Sequence, residues 1–435
     1  MKKTKLKRRV CQVIEEHKEE IFEINQQIYD YPELGYKESF ATELIAEQLA
    51  DLGLEVERDF ALTGCKATIA SREVGPKVAV LGELDAVICK EHPDAKQKTG
   101  AVHACGHNIQ LATMLAVAIG LTTTEVIENL AGSVEFMATP AEEYVELEYR
   151  GELAREKKIK FFGGKQELIY RGEFDDVDLA MMIHSLDLGA NKALIGGTGN
   201  GFIGKKVKFI GQESHAGSAP EEGVNALNAA MLAISNINAQ RETFADQDRI
   251  RVHPIITKGG DMVNVVPADV RMETYVRGRT IDSILDANQK VDRALQAGAM
   301  AVGAEVEISD LPGYLPLLNN EALDQLFVDN LTEFIPQDTI QYGSDFSGSF
   351  DFGDLSHLIP TLHPFFAGVS GALHTRDFSL EDRELAIITP AKAMATTIID
   401  LLFDQASLAE EIITNFEPTM SKEEYLDLQR KISNE

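Results

Sequence analysis

The chain is 435 residues long, with 44% hydrophobic and 26% charged residues. That is globular composition on a chain too long for a single hydrophobic core, so two domains are expected. Its 41 Lys and Arg face 70 Asp and Glu, a formal net charge of −29, which excludes nucleic acid and anionic membrane surfaces as expected partners.

No tract in the sequence reads as the roughly 18 apolar residues of a membrane span. The opening stretch, MKKTKLKRRVCQVIEEHKEEIF, is basic and passes into an amphipathic helix pattern without the apolar centre of a secretory signal, so a cytoplasmic protein is expected. Cys11, Cys65, Cys89 and Cys105 are too scattered for a disulfide scaffold, and free thiols are expected.

Residues 38–53, ESFATELIAEQLADLG, place apolar side chains at helical spacing and stop at Gly53. KVAVLGELDA (77–86) and GSVEFMATPAEE (132–143) read as two buried strands whose C-terminal ends carry carboxylates. Open α/β sheets bind ligands just beyond such ends. Between them, HACGHN (103–108) leads into the apolar run ATMLAVAIGL.

From residue 201 the pattern becomes strand, helix, two strands, helix and a last strand, EVEIS, ending near Pro312. That order, βαββαβ, fits a self-contained α+β domain. The expected organisation is therefore an α/β domain with a mixed sheet, formed by 1–200 and 313–435 and split by an inserted α+β domain over 201–312.

Cys105 and His107 are two apart, and in an extended segment both would face one cavity. Glu142 and Glu143 are neighbours and so point in different directions, which lets one hold a metal while the other acts as a base. His184 ends the run LAMMIHS, and His374 lies in the late Gly-rich GALHT. A single His or Cys at the end of an apolar run is more often packing than coordination. Only the set is informative, because a dinuclear site needs several borderline donors converging from different loops.

The motifs HACGHN, TPAEE (139–143), IHS (183–185), SHAGSAP (214–220), NVVPADV (264–270) and LHT (373–375) resemble, in order, those of the M20 metallopeptidase family. YPELGYKES (31–39) and GSFDFGDLSHLIPT (348–361) are similar to its branch of p-aminobenzoyl-glutamate and N-acyl amino acid amidohydrolases. The resemblance implies a zinc-exopeptidase-like catalytic domain with an inserted lid and dimerisation domain. It implies hydrolysis of an amide bond in an N-acyl amino acid or small peptide-like substrate, through a metal-activated water.

Carried over residue by residue, it implies that Cys105, His107, Glu143, His184 and His374 hold two divalent ions, Zn or Mn, with Glu142 as general base. It further implies a homodimer in which His215 reaches the partner's site to stabilise the oxyanion. Asn264 and Arg277 would hold substrate polar groups, and Asp85 would orient a ligating histidine. Ser349 and Asp351 would support the pocket.

Two departures stand out. Asn108 replaces the Asp common in the family, and YVELEYRGELAREKKIKFFGGKQEL follows the glutamate pair as an insertion that could line the site, cap it or contact another subunit. Two rival readings remain open at this point. One is a cysteine hydrolase with Cys105 as nucleophile and His103 or His107 as base; the other is a catalytically silent binding protein on the same fold.

Overall fold

The computed structural model describes residues 2–124 and 126–433. They form two compact units: 1–198 with 318–345 and 355–419, and 199–317 with 346–354 and 420–435.

The first unit is built on a six-stranded mixed sheet in the order Val56–Phe60, Gly64–Ala70, Ala131–Thr139, Glu73–Glu83, Leu179–Met181, Thr361–Leu362. The two long central strands run parallel, with Val78 beside Val134 and Glu83 beside Thr139. Their C-terminal ends are therefore level, and the loops leaving them start side by side. A four-stranded sheet carries His184–Ser185 parallel to Phe365–Phe366.

The helix His107–Thr122 is apolar on every side, with residues 107 to 121 all buried. It lies against the central strand, and a methyl group at Gly82 would come within 3.1 Å of Leu111. The amphipathic helices Lys3–Glu16 and Lys18–Asp30 bury Leu6, Val10, Ile14, Ile21 and Ile28 in the same core.

The sequence offered no tract resembling a membrane span, and the structure corrects that at one place. The helix Glu384–Asn415 is long and apolar enough to cross a membrane, and 83% of its most apolar window is buried inside the protein. A helix covered on every side by its own domain carries apolar residues all round, as a spanning helix does.

In the second unit the antiparallel sheet runs Arg251–Val252, Asp269–Gly278, Gly201–Ile210, Glu305–Pro312, with Ile255–Lys258 also paired to Asp269–Gly278. The segment RIRVHPIITKGG forms two short strands around Pro254, which has no N–H to donate to a ladder. The helices Ala226–Ala239 and Ile281–Met300 cross closely, and a methyl group at Gly298 would lie 2.5 Å from the Ala233 nitrogen. The helix Lys422–Ser433 joins this unit through Tyr425, whose hydroxyl donates to Asp354 Oδ1 at 2.8 Å.

Candidate metal centre

The centre of interest lies at the level ends of the two parallel strands. Past Glu83 the chain turns through Leu84, whose N–H donates to Thr139 O at 2.9 Å, and presents Asp85. Past Thr139 it turns at Ala141, which holds a left-handed φ of 56°, and presents Glu142 and Glu143. The two loops are joined where the Glu143 N–H donates to Asp85 Oδ2 at 2.8 Å.

HACGHN crosses the same end. The expectation that Cys105 and His107 lie on an extended segment is wrong: Gly106 takes φ 83° as the N-cap of the helix that His107 begins. A left-handed turn into a helix, not strand alternation, brings the two side chains to one place. His374 also has a left-handed φ, 61°, and its N–H donates to Ala104 O at 2.8 Å, which pins the late loop to HACGHN.

Five predicted ligands converge. Cys105 Sγ lies 3.6 Å from His184 Nε2 and 3.3 Å from His374 Nε2, and His374 Nε2 lies 2.8 Å from Glu143 Oε1. His107 Nδ1 is 2.7 Å from the Asp85 carbonyl oxygen and His184 Nδ1 is 2.8 Å from Ser185 O. Each Nδ1–H therefore donates to a carbonyl, which turns each Nε2 inward, where loss of its proton would free it to bind a metal. Glu142 Oε2 is 3.9 Å from His107 Nε2.

Three groups of ligand atoms lie within 4.8 Å of one another: Cys105, His107 and His184; Cys105, Glu143 and His374; Glu83, His107 and Glu142. The first two share the Cys105 thiol. The buried His107 Nε2 and Glu143 Oε1 make no well-formed hydrogen bond and face the ion-pair partners Glu83 and His374 within the centre. A thiol, three imidazoles and carboxylates with open inward donors fit borderline divalent ions such as Zn or Mn.

Without ions the centre is held by internal charge. Burial and Glu143 would raise the Cys105 pKa, but the imidazoles of His374, His107 and His184 bring it down to about 6. Glu143, which burial would raise, is held at about 2 by His374, and the charge of Glu143 pushes His374 up to about 12. Metal uptake by such a centre must release protons.

Sequence reasoning missed three buried groups. Glu83 lies 3.0 Å from His107 Nε2 and 2.6 Å from Lys165 Nζ. It is two residues before Asp85 in the same GELDA, and alternation along the strand was the signal that could have found it. Lys165 and Arg150 both come from the charged segment after Glu143. That segment folds as the helices Leu147–Arg155 and Gly164–Arg171, and packs Leu153 and Ile159 against Tyr36 and Ala141 of the same unit.

His215, Asn264 and Arg277 belong to the second unit. His215 bridges Val265, and the Ala216 N–H donates to Asn264 O at 2.9 Å, so His215 and Asn264 are neighbours. Arg277 lies on the strand Asp269–Gly278, its guanidinium 5.6 Å from the Phe202 ring and 5.4 Å from that of Tyr275. Ser349 and Asp351 also fall in the second unit, with Asp351 fully buried.

Residues 199–302 match the model of the peptidase dimerisation domain of the M20 family. The Xaa-Arg dipeptidase of Mus musculus is 30% identical over 97% of this chain and 94% of its own length. The hippurate hydrolase of Campylobacter jejuni is 24% identical over 84% of this chain and 93% of its own. A dinuclear metal-binding peptidase of the M20 family from Bacillus subtilis superposes with a TM-score of 0.65 at 20% identity, covering 88% of this chain and 98% of that one. The chain belongs to the M20 family, and it is a hydrolase of amide or peptide bonds.

Proposed function

We propose that this enzyme is a metal-dependent hydrolase of dipeptides or N-acyl amino acids, cutting an amide whose amine side carries a carboxylate. The observation that carries the reading is the position of Cys105, which belongs at once to two three-ligand groups. In this reading Cys105, His107, Glu143, His184 and His374 hold two divalent ions. When bound, such ions lower the pKa of water towards about 7 and polarise the scissile carbonyl.

Glu142, buried beside the ligands, takes a proton from the attacking water and returns it to the leaving amine. Asp85 orients His107 through its carbonyl and holds the Glu143 N–H. In a homodimer, His215 supplies a hydrogen bond to the developing oxyanion, and Asn264 and Arg277 hold the substrate's polar end and carboxylate. The names of two relatives, Xaa-Arg dipeptidase and hippurate hydrolase, support this substrate class.

The test is a panel of Xaa-Arg dipeptides and N-acyl amino acids given to native, chelator-treated and Zn- or Mn-reconstituted protein, with Glu142→Gln alongside. Loss with chelator, recovery with metal, and a Glu142→Gln rate lower by about 100- to 10,000-fold are expected. Equal rates for Glu142→Gln and wild type would remove the mechanism. Activity that survives chelation and is lost only to a thiol alkylator would establish Cys105 as a nucleophile instead.

A further inference from the structure

Arg150 is the largest fully buried side chain among the described residues, at 1% exposure. It sits on the helix Leu147–Arg155, and its guanidinium reaches under the glutamate loop. Nη1 donates to Ala141 O at 3.2 Å and to Phe162 O at 2.5 Å, and Nη2 donates to Glu143 O. Its central carbon lies 5.5 Å from the Tyr36 ring.

The loop needs such ties. Ala141 is a non-glycine residue in the left-handed region, a conformation that persists only where its surroundings enforce it. The Ala141 N–H donates to Glu38 Oε1 at 2.8 Å, and Ala141 O also accepts from Gly164 N at 3.1 Å. The backbone on both sides of Glu142 is thus fixed from outside the loop. The approach is close enough to require glycine at 35, where a methyl group would meet Arg150 Nη2 at 2.4 Å and Ala141 Cα at 2.9 Å.

We propose that Arg150 is a positioning residue, a buttress whose planar fork holds the carbonyls of Ala141 and Glu143 and so sets the aim of Glu142 and Glu143. The segment after the glutamate pair therefore works from beneath the loop. A lysine keeps the charge but not the rigid fork, so it cannot hold carbonyls arriving from separate directions in fixed geometry. The inference rests on the functional reading given above, and the experiment separates the two.

Arg150→Lys, Arg150→Ala and Gly35→Ala are compared with wild type and Glu142→Gln for kcat, KM, and Zn affinity measured by titrating the metal-free protein. Displacement of the reacting groups by an ångström predicts a kcat lower by about 100-fold in Arg150→Lys with KM little changed. Zn affinity is expected to fall by about 10- to 100-fold. Millimolar guanidinium should restore part of the Arg150→Ala loss, whereas Gly35→Ala, which keeps the arginine but crowds both its fork and Ala141, should lower kcat and Zn affinity and gain nothing from guanidinium. Arg150→Lys with wild-type kcat and Zn affinity beside an inactive Glu142→Gln overturns the buttress. So does a loss that guanidinium leaves untouched while the thermal midpoint falls in step. A fully active Glu142→Gln overturns the functional reading instead, leaving the Zn titrations of the Arg150 variants to judge the buttress by themselves.

Discussion

Lys165 Nζ lies 2.6 Å from Glu83 Oε1, and the two side chains are 0% and 1% exposed. Glu83 also accepts from Gln110 Nε2 at 3.0 Å. Burial would raise the Glu83 pKa, but the charges of Lys165 and His107 hold it well below the usual carboxylate range. Removing one partner of a buried pair strands the other charge, which costs about 3–5 kcal/mol, whereas an exposed pair contributes about 0–1 kcal/mol. Lys165→Met should therefore lower the denaturant midpoint strongly. Arg72→Ala, which removes an exposed pair with Glu128, should barely move it. Equal shifts in the two variants would show that Glu83 has another source of compensation.

Gly106 and Gly53 make a matched pair. Both hold left-handed φ, 83° and 81°; a methyl group at 106 would come within 3.2 Å of Ser185 Cβ, while at 53 it would meet nothing within 4 Å. Either Gly→Ala change should cost about 1–2 kcal/mol in backbone strain. Only Gly106→Ala crowds the residue next to His184 and shifts the turn between Cys105 and His107. It should weaken metal retention by about 10- to 100-fold, read by competition with a chromophoric chelator, while Gly53→Ala leaves affinity unchanged. If both variants bind metal as wild type does, the turn does not set the ligand geometry.

The contrast between these glycines shows what was legible in the sequence. Strand positions such as 77–83 and 132–139 follow from period and turn residues, because those signals are local. The convergence of Cys105 with His374 is not local: it depends on the Ala104 carbonyl capturing a loop 270 residues later. Arg150 and Lys165 were invisible because a basic residue in a charged segment reads as solvated surface. Their burial follows from acceptors supplied elsewhere, by Ala141, Glu143, Phe162 and Glu83. The Cys105 and His107 pair was found for the wrong local reason, since Gly106 makes a turn where alternation was assumed.

Asp324, near the start of the helix Glu321–Leu331, is pushed up to about 7 by burial and by the neighbouring Glu321. A carboxyl whose folded pKa is raised adds stability that is complete below the unfolded value near 3.8 and is lost as pH rises to about 7. Asp324→Asn removes the ionisation, so its stability relative to wild type should rise by about 2–4 kcal/mol between pH 4 and pH 7 and stay level above that. Denaturant unfolding at pH 4, 6 and 8 checks this, and a difference that does not vary with pH would show that Asp324 titrates normally.

The thiols themselves report the centre's state. In metal-free protein Cys105 sits near 6, because His374, His107 and His184 outweigh burial and Glu143, whereas burial pushes Cys11 up to about 11 and Cys65 up to about 12. Alkylation requires the thiolate, so at pH 7.5 iodoacetamide should modify Cys105 ahead of Cys11 and Cys65, with His374 at the half-exposed rim giving access. Loading with Zn or Mn should suppress modification of Cys105 alone, because coordination draws electron density from the sulfur and the ion blocks the reagent's approach. Peptide mapping by mass spectrometry after timed labelling reads both effects. Lowering the pH should weaken this protection, since the ions must displace the protons held by His107 and His374. A metal-loaded enzyme that is alkylated at Cys105 as fast as the metal-free form, and still hydrolyses amides at full rate, would remove Cys105 from the ligand set.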